Sequence, residues 1–121
     1  MANHNTLNVV MAQVNPLVGD IPGNAELIIK TAEKILAQGR PDVIVFPELV
    51  LTAYPPEDLL LRASLDIRIE SALDAIKACK FDSHLVIGYP GRDEGRLYNM
   101  LCVIYQGNTL ATYKKQILPN Y

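Results

Sequence analysis

Residues 41–50 read PDVIVFPELV, and this stretch decides the fold class. Its centre, Val43 to Phe46, is a run of apolar, mostly β-branched residues that is too short for a helix and is ended by Pro47. The run therefore predicts a buried strand. Glu48 follows at once, so the sequence places a carboxylate just past the carboxyl end of that strand.

The segment before this strand predicts a strand and then a helix. Leu7 to Gln13 is a short apolar run followed by a turn-forming cluster of Asn, Pro, Gly and Asp residues. Apolar residues then recur at helical spacing, with Asn24 as the expected N-cap, Glu26 in the first turn and Gly39 as the stop. This pattern is typical of an amphipathic helix that packs on a sheet.

The segment after the strand begins with a loop, because Pro55 and Pro56 exclude a regular helix from residues 49–58. The remaining patterns predict a short helical turn at Leu59 to Leu61 and a helix from Ile69 to Cys79. A strand is predicted from Leu85 to Tyr89, closed by Pro90 and Gly91. A β-hairpin of Met100 to Tyr105 and Thr109 to Lys114 is predicted around the turn Gln106, Gly107 and Asn108. The order β-α-β-loop-α-β-β-β predicts an α/β fold. We expect a mixed sheet with covering helices because the chain ends in a hairpin.

Composition excludes several classes of function. The chain has 121 residues, half of them apolar, and its formal charge of −2 is spread along the sequence without a basic stripe, so we expect no nucleic-acid partner. A signal peptide and an apolar run near the roughly 20 residues that span a bilayer are both missing, which predicts a cytoplasmic protein without a membrane partner. Cys79 and Cys102 lie in apolar patterns and are expected to be structural, and no metal-ligand spacing occurs, so we expect no metal site.

Two charged side chains are candidates for chemistry. Ligands of open α/β sheets gather at the carboxyl ends of strands, where Glu48 lies and where Lys115 is expected to end the last strand. Desolvation beside a proline would raise the pKa of Glu48 toward that of a general base, and an ammonium group could stabilise an oxyanion. On spacing alone, Lys114 competes equally with Lys115.

Three segments carry a family resemblance: FPELVLTAYPPEDLL at residues 46–60, YKKQILPNY at 113–121 and MAQVNPLVGDIPGN at 11–24. The first resembles the segment with the base glutamate of the nitrilase superfamily, and the second resembles its lysine motif. The third resembles the first strand and loop of the glutamine-dependent NAD synthetases within that superfamily, and the YPPEDLL and Asn-Tyr details of the other two are similar to the same enzymes. The resemblance implies that Glu48 is the general base, that Lys115 rather than Lys114 stabilises the oxyanion, and that Tyr54 and Tyr121 line the glutamine pocket. It also implies part of a nitrilase-type α-β-β-α sandwich.

The resemblance implies a function as well. Glutamine would be hydrolysed, and its ammonia would serve an ATP-dependent ligase that converts nicotinic acid adenine dinucleotide to NAD. The superfamily's nucleophile is a cysteine some tens of residues beyond the lysine, where neither Cys79 nor Cys102 lies. Residues 1–121 are therefore expected to be the N-terminal portion of a carbon-nitrogen hydrolase (glutaminase) domain, truncated before the nucleophile cysteine, without the synthetase domain and inactive alone.

The expected partners follow from the same resemblance. They are glutamine, the absent C-terminal synthetase domain and further copies of the chain in a homo-oligomer. We expect no cofactor for these 121 residues, and ATP and Mg²⁺ for the synthetase domain.

Three alternatives compete. The first is another nitrilase-superfamily amidase that acts on a different amide, nitrile or carbamoyl substrate. The second is a non-catalytic receiver-like signalling module, since the chain begins β-α-β and carries a lysine near its C-terminus. The third is a nucleotide-binding module, because Gly19 and Gly23 stand between a strand and a helix, although their spacing matches neither common phosphate-binding motif.

Overall fold

The computed structural model describes residues 6–54 and 64–118. These residues form five strands and two helices: β1 (Val9–Met11), α1 (Ile21–Gln38), β2 (Val43–Val45), α2 (Ser64–Ala78), β3 (His84–Asp93), β4 (Arg96–Tyr105) and β5 (Asn108–Ile117). The strands make one sheet in the order β1-β2-β3-β4-β5. The β1–β2 and β2–β3 pairs are parallel and the other two are antiparallel, so the predicted mixed sheet is confirmed. A receiver-like module is not supported, since its sheet is parallel and is ordered 2-1-3-4-5.

The two helices and the sheet enclose the core. Successive parallel strands are added in one direction, and right-handed crossovers then place both helices on the same face of the sheet. The helices contribute Ile28, Ala32, Ile69 and Ile76 to this core, and the strands contribute Ile44, Leu85, Ile87, Cys102 and Ile104. All of these side chains are at most 4% exposed. The helix predicted over Ile69 to Cys79 is thus confirmed as α2, with Cys79 one residue past its end.

The start of α1 differs from the prediction. The helix begins at Ile21 with Asp20 as its N-cap, and the Asp20 carboxylate accepts a hydrogen bond of 3.1 Å from the Gly23 amide. The predicted N-cap, Asn24, is instead buried inside the first turn, and the first turn contains no acidic residue. The carboxylate at this helix end disfavours a phosphate there, which weakens the nucleotide-binding alternative. The end at Gln38, just before Gly39, agrees with the prediction.

Asn24 ties two loops together. Its Oδ1 accepts from the Leu17 amide at 2.8 Å, and its Nδ2 donates to the carbonyls of Leu17 and Leu51 at 2.8 and 3.0 Å. Leu51 belongs to the segment that follows β2. Asn24 therefore fixes the loop before α1 against the loop that carries Glu48.

Strand β3 continues past the expected stop at Pro90 and Gly91 and ends at Asp93. Proline is tolerated here because β2 stops pairing at Val45, opposite Val86, which leaves β3 paired on one side only, with β4. A two-residue turn follows at Glu94 and Gly95, whose φ angles of 51° and 77° suit a tight hairpin. Consequently β4 begins at Arg96 rather than at Met100.

The predicted hairpin is confirmed as β4 and β5, with longer strands than expected. Gln106 and Gly107, with φ angles of 48° and 85°, form its turn, and Asn108 is the first residue of β5. This strand continues to Ile117, so Lys115 lies inside it rather than at its end. Every residue of β5 is exposed, because the strand forms one edge of the sheet.

The face of the sheet opposite the helices is apolar and is only partly covered by residues 6–54 and 64–118. In register across this face lie Met11, Val45, Val86 and Val103, of which Met11 is 68% exposed and the valines are half-buried. We call it the open face. Neither of the two described helices is both long and apolar enough to cross a membrane.

Candidate active site

Glu48 lies on a short segment that folds back over the open face. Residues Leu49, Val50, Leu51 and Thr52 are at most 2% exposed and anchor the segment. The Leu51 amide donates to the Gly88 carbonyl on β3 at 3.3 Å, and the Thr52 amide donates to the Leu49 carbonyl at 3.1 Å. Leu49 has a φ of 52°, which is uncommon for a residue with a branched side chain. The anchored turn leaves the Glu48 carboxylate within hydrogen-bond distance of β4 and β5.

Gly88 makes the close approach of this segment feasible. A Cβ atom added there would lie 2.8 Å from the Leu49 amide nitrogen and 3.6 Å from the Glu48 Cα. Real Cβ atoms do not come that close to backbone, so any larger residue at position 88 would displace the Glu48 segment. An isolated glycine inside a strand is a known signal of close backbone approach, and it could have identified Gly88 from the sequence.

Lys115 reaches Glu48 from the edge strand β5. The register of β4 with β5 passes from Met100 opposite Lys114 to Asn99 opposite Gln116, so Lys115 is the extra residue of a β-bulge. Bulges redirect side chains near functional sites. The Lys115 Nζ lies 3.0 Å from the Glu48 Oε1, although the two residues are 67 positions apart.

Lys114 points elsewhere. Its Nζ lies 2.6 Å from the Asp93 Oδ2 and 5.0 Å from the centre of the Tyr98 ring. Spacing alone left the two lysines equivalent. The structure places Lys115 beside Glu48 and pairs Lys114 with Asp93 at the end of β3.

Two further side chains bind the same carboxylate. The Tyr54 hydroxyl donates to the Glu48 Oε2 at 2.9 Å, and the Asn99 amide donates to Oε1. Tyr54 is 67% exposed, whereas Asn99 is 2% exposed. Sequence reasoning missed Asn99; its signal was a lone polar residue within the apolar strand pattern LYNMLCV. Tyr121 and the helical turn expected at Leu59 to Leu61 lie outside the described residues.

The charge state of Glu48 contradicts the expectation of a raised pKa. Hydrogen bonds from Lys115, Tyr54 and Asn99, in that order of effect, lower the pKa of Glu48 below its ordinary value of 4.5. Desolvation acts in the opposite direction but is weak, because the side chain is 37% exposed. The same contact raises the pKa of Tyr54, since its proton is held by a carboxylate. Glu48 is therefore an ionised acceptor at neutral pH.

Neither described cysteine is suited to act as a nucleophile. Burial raises the pKa of Cys102 to about 11, and its side chain lies in the core. Desolvation and the charges of Glu33 and Glu26 raise the pKa of Cys79, which lies at the end of α2. Both thiols are protonated at neutral pH, and a protonated thiol is a poor nucleophile.

The arrangement suits proton transfer next to a developing negative charge. A carboxylate held by three donors can accept and return a proton, and the adjacent ammonium can stabilise an oxyanion. Residues 6–54 and 64–118 contain no group of three or more His, Cys, Asp or Glu side chains that could hold a metal ion.

Comparison with known proteins gives three kinds of similarity. Residues 8–121 match the family model described as carbon-nitrogen hydrolase. The glutamine-dependent NAD(+) synthetase of Aquifex aeolicus is 43% identical over 117 residues, which are 95% of this chain and 20% of that protein. The chain thus spans about a fifth of the length of that relative.

Solved structures agree. Glutamine-dependent NAD+ synthetase from Acinetobacter baumannii superposes with a TM-score of 0.84 and 37% identity, over 95% of this chain and 22% of that one. A Nesterenkonia amidase from the nitrilase superfamily superposes with a TM-score of 0.77 over 90% of this chain and 42% of that one. At 22% identity the amidase supports the fold alone.

Proposed function

The chain belongs to the carbon-nitrogen hydrolase family, and from that premise we propose that it is the glutaminase portion of a glutamine-dependent NAD synthetase. The observation that carries the proposal is the ion pair of Glu48 and Lys115, at 3.0 Å. Two motifs from remote parts of the sequence thus meet on the open face of the sheet. The name of the relatives, glutamine-dependent NAD(+) synthetase, is the basis for proposing glutamine as the substrate.

The proposed reaction has two stages. A cysteine that the resemblance places after Lys115 attacks the side-chain amide carbon of glutamine, and Glu48 takes the thiol proton. Lys115 stabilises the negatively charged oxygen of the tetrahedral intermediate. Glu48 then returns the proton to the amide nitrogen, the C–N bond breaks and ammonia leaves.

In the second stage, water attacks the thioester carbon and gives its proton to Glu48. The C–S bond then breaks, glutamate is released, and the proton returns to the sulfur. The ammonia serves a synthetase domain that uses ATP and Mg²⁺ to amidate nicotinic acid adenine dinucleotide. We place that domain, and the nucleophile, beyond residues 1–121, so these residues alone are expected to release no ammonia from glutamine.

The test is ammonia release from glutamine by the full protein. Glu48→Gln keeps the shape and removes the base, so we expect a loss of about 10²–10⁴-fold in kcat. Lys115→Met is expected to lose about 10²–10³-fold. Lys114→Met is the matched control, because Lys114 pairs with Asp93, and it should keep at least half of the activity.

Two outcomes would contradict the proposal. Equal losses in Lys114→Met and Lys115→Met would show that the contact with Glu48 is irrelevant. Hydrolysis of simple aliphatic amides in preference to glutamine would favour the other nitrilase-superfamily amidases.

A further inference from the structure

Asn99 differs from the other buried polar side chains of residues 6–54 and 64–118. Asn24 makes three hydrogen bonds, Thr52 donates to the Ala53 carbonyl and Ser83 donates to the Pro41 carbonyl. Asn99 donates to Glu48, but its Oδ1 is buried and has no hydrogen-bond partner among the described residues. A buried acceptor without a partner destabilises the folded state, and an apolar side chain of the same shape would avoid that cost. The hydrogen bond that Asn99 donates to Glu48 is therefore a reason for an asparagine at this position.

The three donors around Glu48 differ in how firmly they are held. Tyr54 is 67% exposed and the Lys115 side chain is 39% exposed, so both retain conformational freedom. Asn99 is 2% exposed and lies on the middle strand of three, opposite Pro90 of β3 and Gln116 of β5. Its short side chain loses little entropy when it is fixed. Asn99 is therefore the rigid anchor of the carboxylate.

The donors also differ between the two carboxylate oxygens. Oε1 accepts from the Asn99 amide and the Lys115 ammonium, and both of these groups can only donate. Oε2 accepts from the Tyr54 hydroxyl, which can rotate and accept instead. A proton placed on Oε1 would oppose two donors, whereas a proton on Oε2 keeps every hydrogen bond possible.

We propose that Asn99 is a positioning residue that holds Oε1 of Glu48, so that Oε2 is the oxygen that takes and returns the proton. This inference rests on the proposed function, in which Glu48 is the base. Asn99 acts through Glu48, to which it donates a hydrogen bond. It determines the rotamer of Glu48 and the carboxylate oxygen that is available for proton transfer.

The test uses the full protein with Asn99→Leu, which keeps the branched shape, and Asn99→Asp, which keeps the size and adds a charge. Three quantities are measured: kcat and KM for glutamine, the acid limb of the pH profile of kcat/KM, and the ¹³C-NMR titration of the Glu48 carboxyl carbon. The Glu48 signal is assigned from its loss in Glu48→Gln. Ser83→Ala is the control, because it removes a buried hydrogen bond at the far end of the sheet.

We expect Asn99→Leu to lower kcat by up to about 100-fold, with a smaller change in KM, because the base is misplaced. The Glu48 titration and the acid limb should both move to higher pH, since one of the hydrogen bonds that lower the pKa of Glu48 is gone. Asn99→Asp should move them further through like-charge repulsion. Ser83→Ala should lower the melting temperature and leave both titrations unchanged.

A purely structural role for Asn99 predicts a different result. Asn99→Leu would then change the melting temperature while kcat and the Glu48 titration stay as in the wild type, and that outcome would overturn the proposal. A shift in Asn99→Asp without one in Asn99→Leu would overturn it too. The NMR titration does not need activity. If Glu48→Gln is fully active, the proposed function fails, while the titration still decides whether Asn99 holds the carboxylate.

Discussion

The two faces of the sheet differ in what covers them. Leu85 lies under the helices and is 1% exposed, whereas Leu101, on the neighbouring strand but on the open face, is half-buried. The covered face contains the closely packed core and no charged side chain of the site. The open face carries Glu48, Asn99 and Lys115. The alternation of side chains along the same strands therefore separates the residues that stabilise the fold from those of the site.

The largest expected effect tests this separation directly. Leu85→Ala should lower the free energy of unfolding by about 2–5 kcal/mol, because it leaves a cavity between the sheet and the helices. Leu101→Ala removes the same atoms from a half-exposed position and should cost less than half as much. Urea unfolding of the 121-residue chain measures both. Equal costs would mean that another layer covers the open face.

A smaller effect is expected where the site segment touches the open face. Gly88→Ala places a Cβ 2.8 Å from the Leu49 amide nitrogen, which forces the Glu48 segment to move. We expect a loss of about 1–3 kcal/mol in stability, as for other overpacked positions. Ammonia release by the full protein should also fall.

Gly39→Ala is the matched control for this substitution. An added Cβ there meets nothing within 4 Å, and the φ of 176° is extended backbone that alanine adopts. Thermal unfolding and glutaminase assays of both variants make the comparison. A Gly88→Ala protein that retains full stability and activity would show that the close approach is unimportant.

The smallest expected effect concerns the pH dependence of stability. The lowered pKa of Glu48 means that its ionised form is favoured by folding. Its contribution is complete above the ordinary value of 4.5 and is lost as the pH falls through the lowered value. Since the side chain is 37% exposed, solvent and salt screen the effect.

This last prediction is checked by comparing wild type with Glu48→Gln at low ionic strength. The stability difference should be constant from pH 7 to about 5 and should shrink in more acidic solution. A difference that grows as the pH falls would instead indicate a raised pKa. That result would contradict the described hydrogen bonds.

Much of the element order could be predicted because local patterns determined it. The strand at Val43, the helix before it and the final hairpin follow from apolar periodicity, proline and glycine. The predicted boundaries of strands and helices were wrong where tertiary contacts compete with local sequence signals. Pro90 was expected to end β3, yet the strand continues because its edge is free beyond β2. Asn24 was expected to cap α1, yet it is buried between two loops.

The site could be predicted only in part. Glu48 follows from its place after a buried strand, and the family resemblance singled out Lys115. The structure places the two side chains within hydrogen-bond distance. The predicted direction of the Glu48 pKa shift was wrong, because a neighbouring proline gives no information about hydrogen-bond donors on β4 and β5. Asn99 was missed for the same reason.

The sequence by itself determined that this chain is an α/β protein of the carbon-nitrogen hydrolase family, since the strand pattern and the motifs are local and contiguous. Only the tertiary structure decided that Lys115 contacts Glu48, which other donors hold its carboxylate and which face of the sheet stays open. Those properties depend on strand register, on the bulge at Lys115 and on the close packing at Gly88. They arise between residues distant in sequence, where local periodicity contains no information.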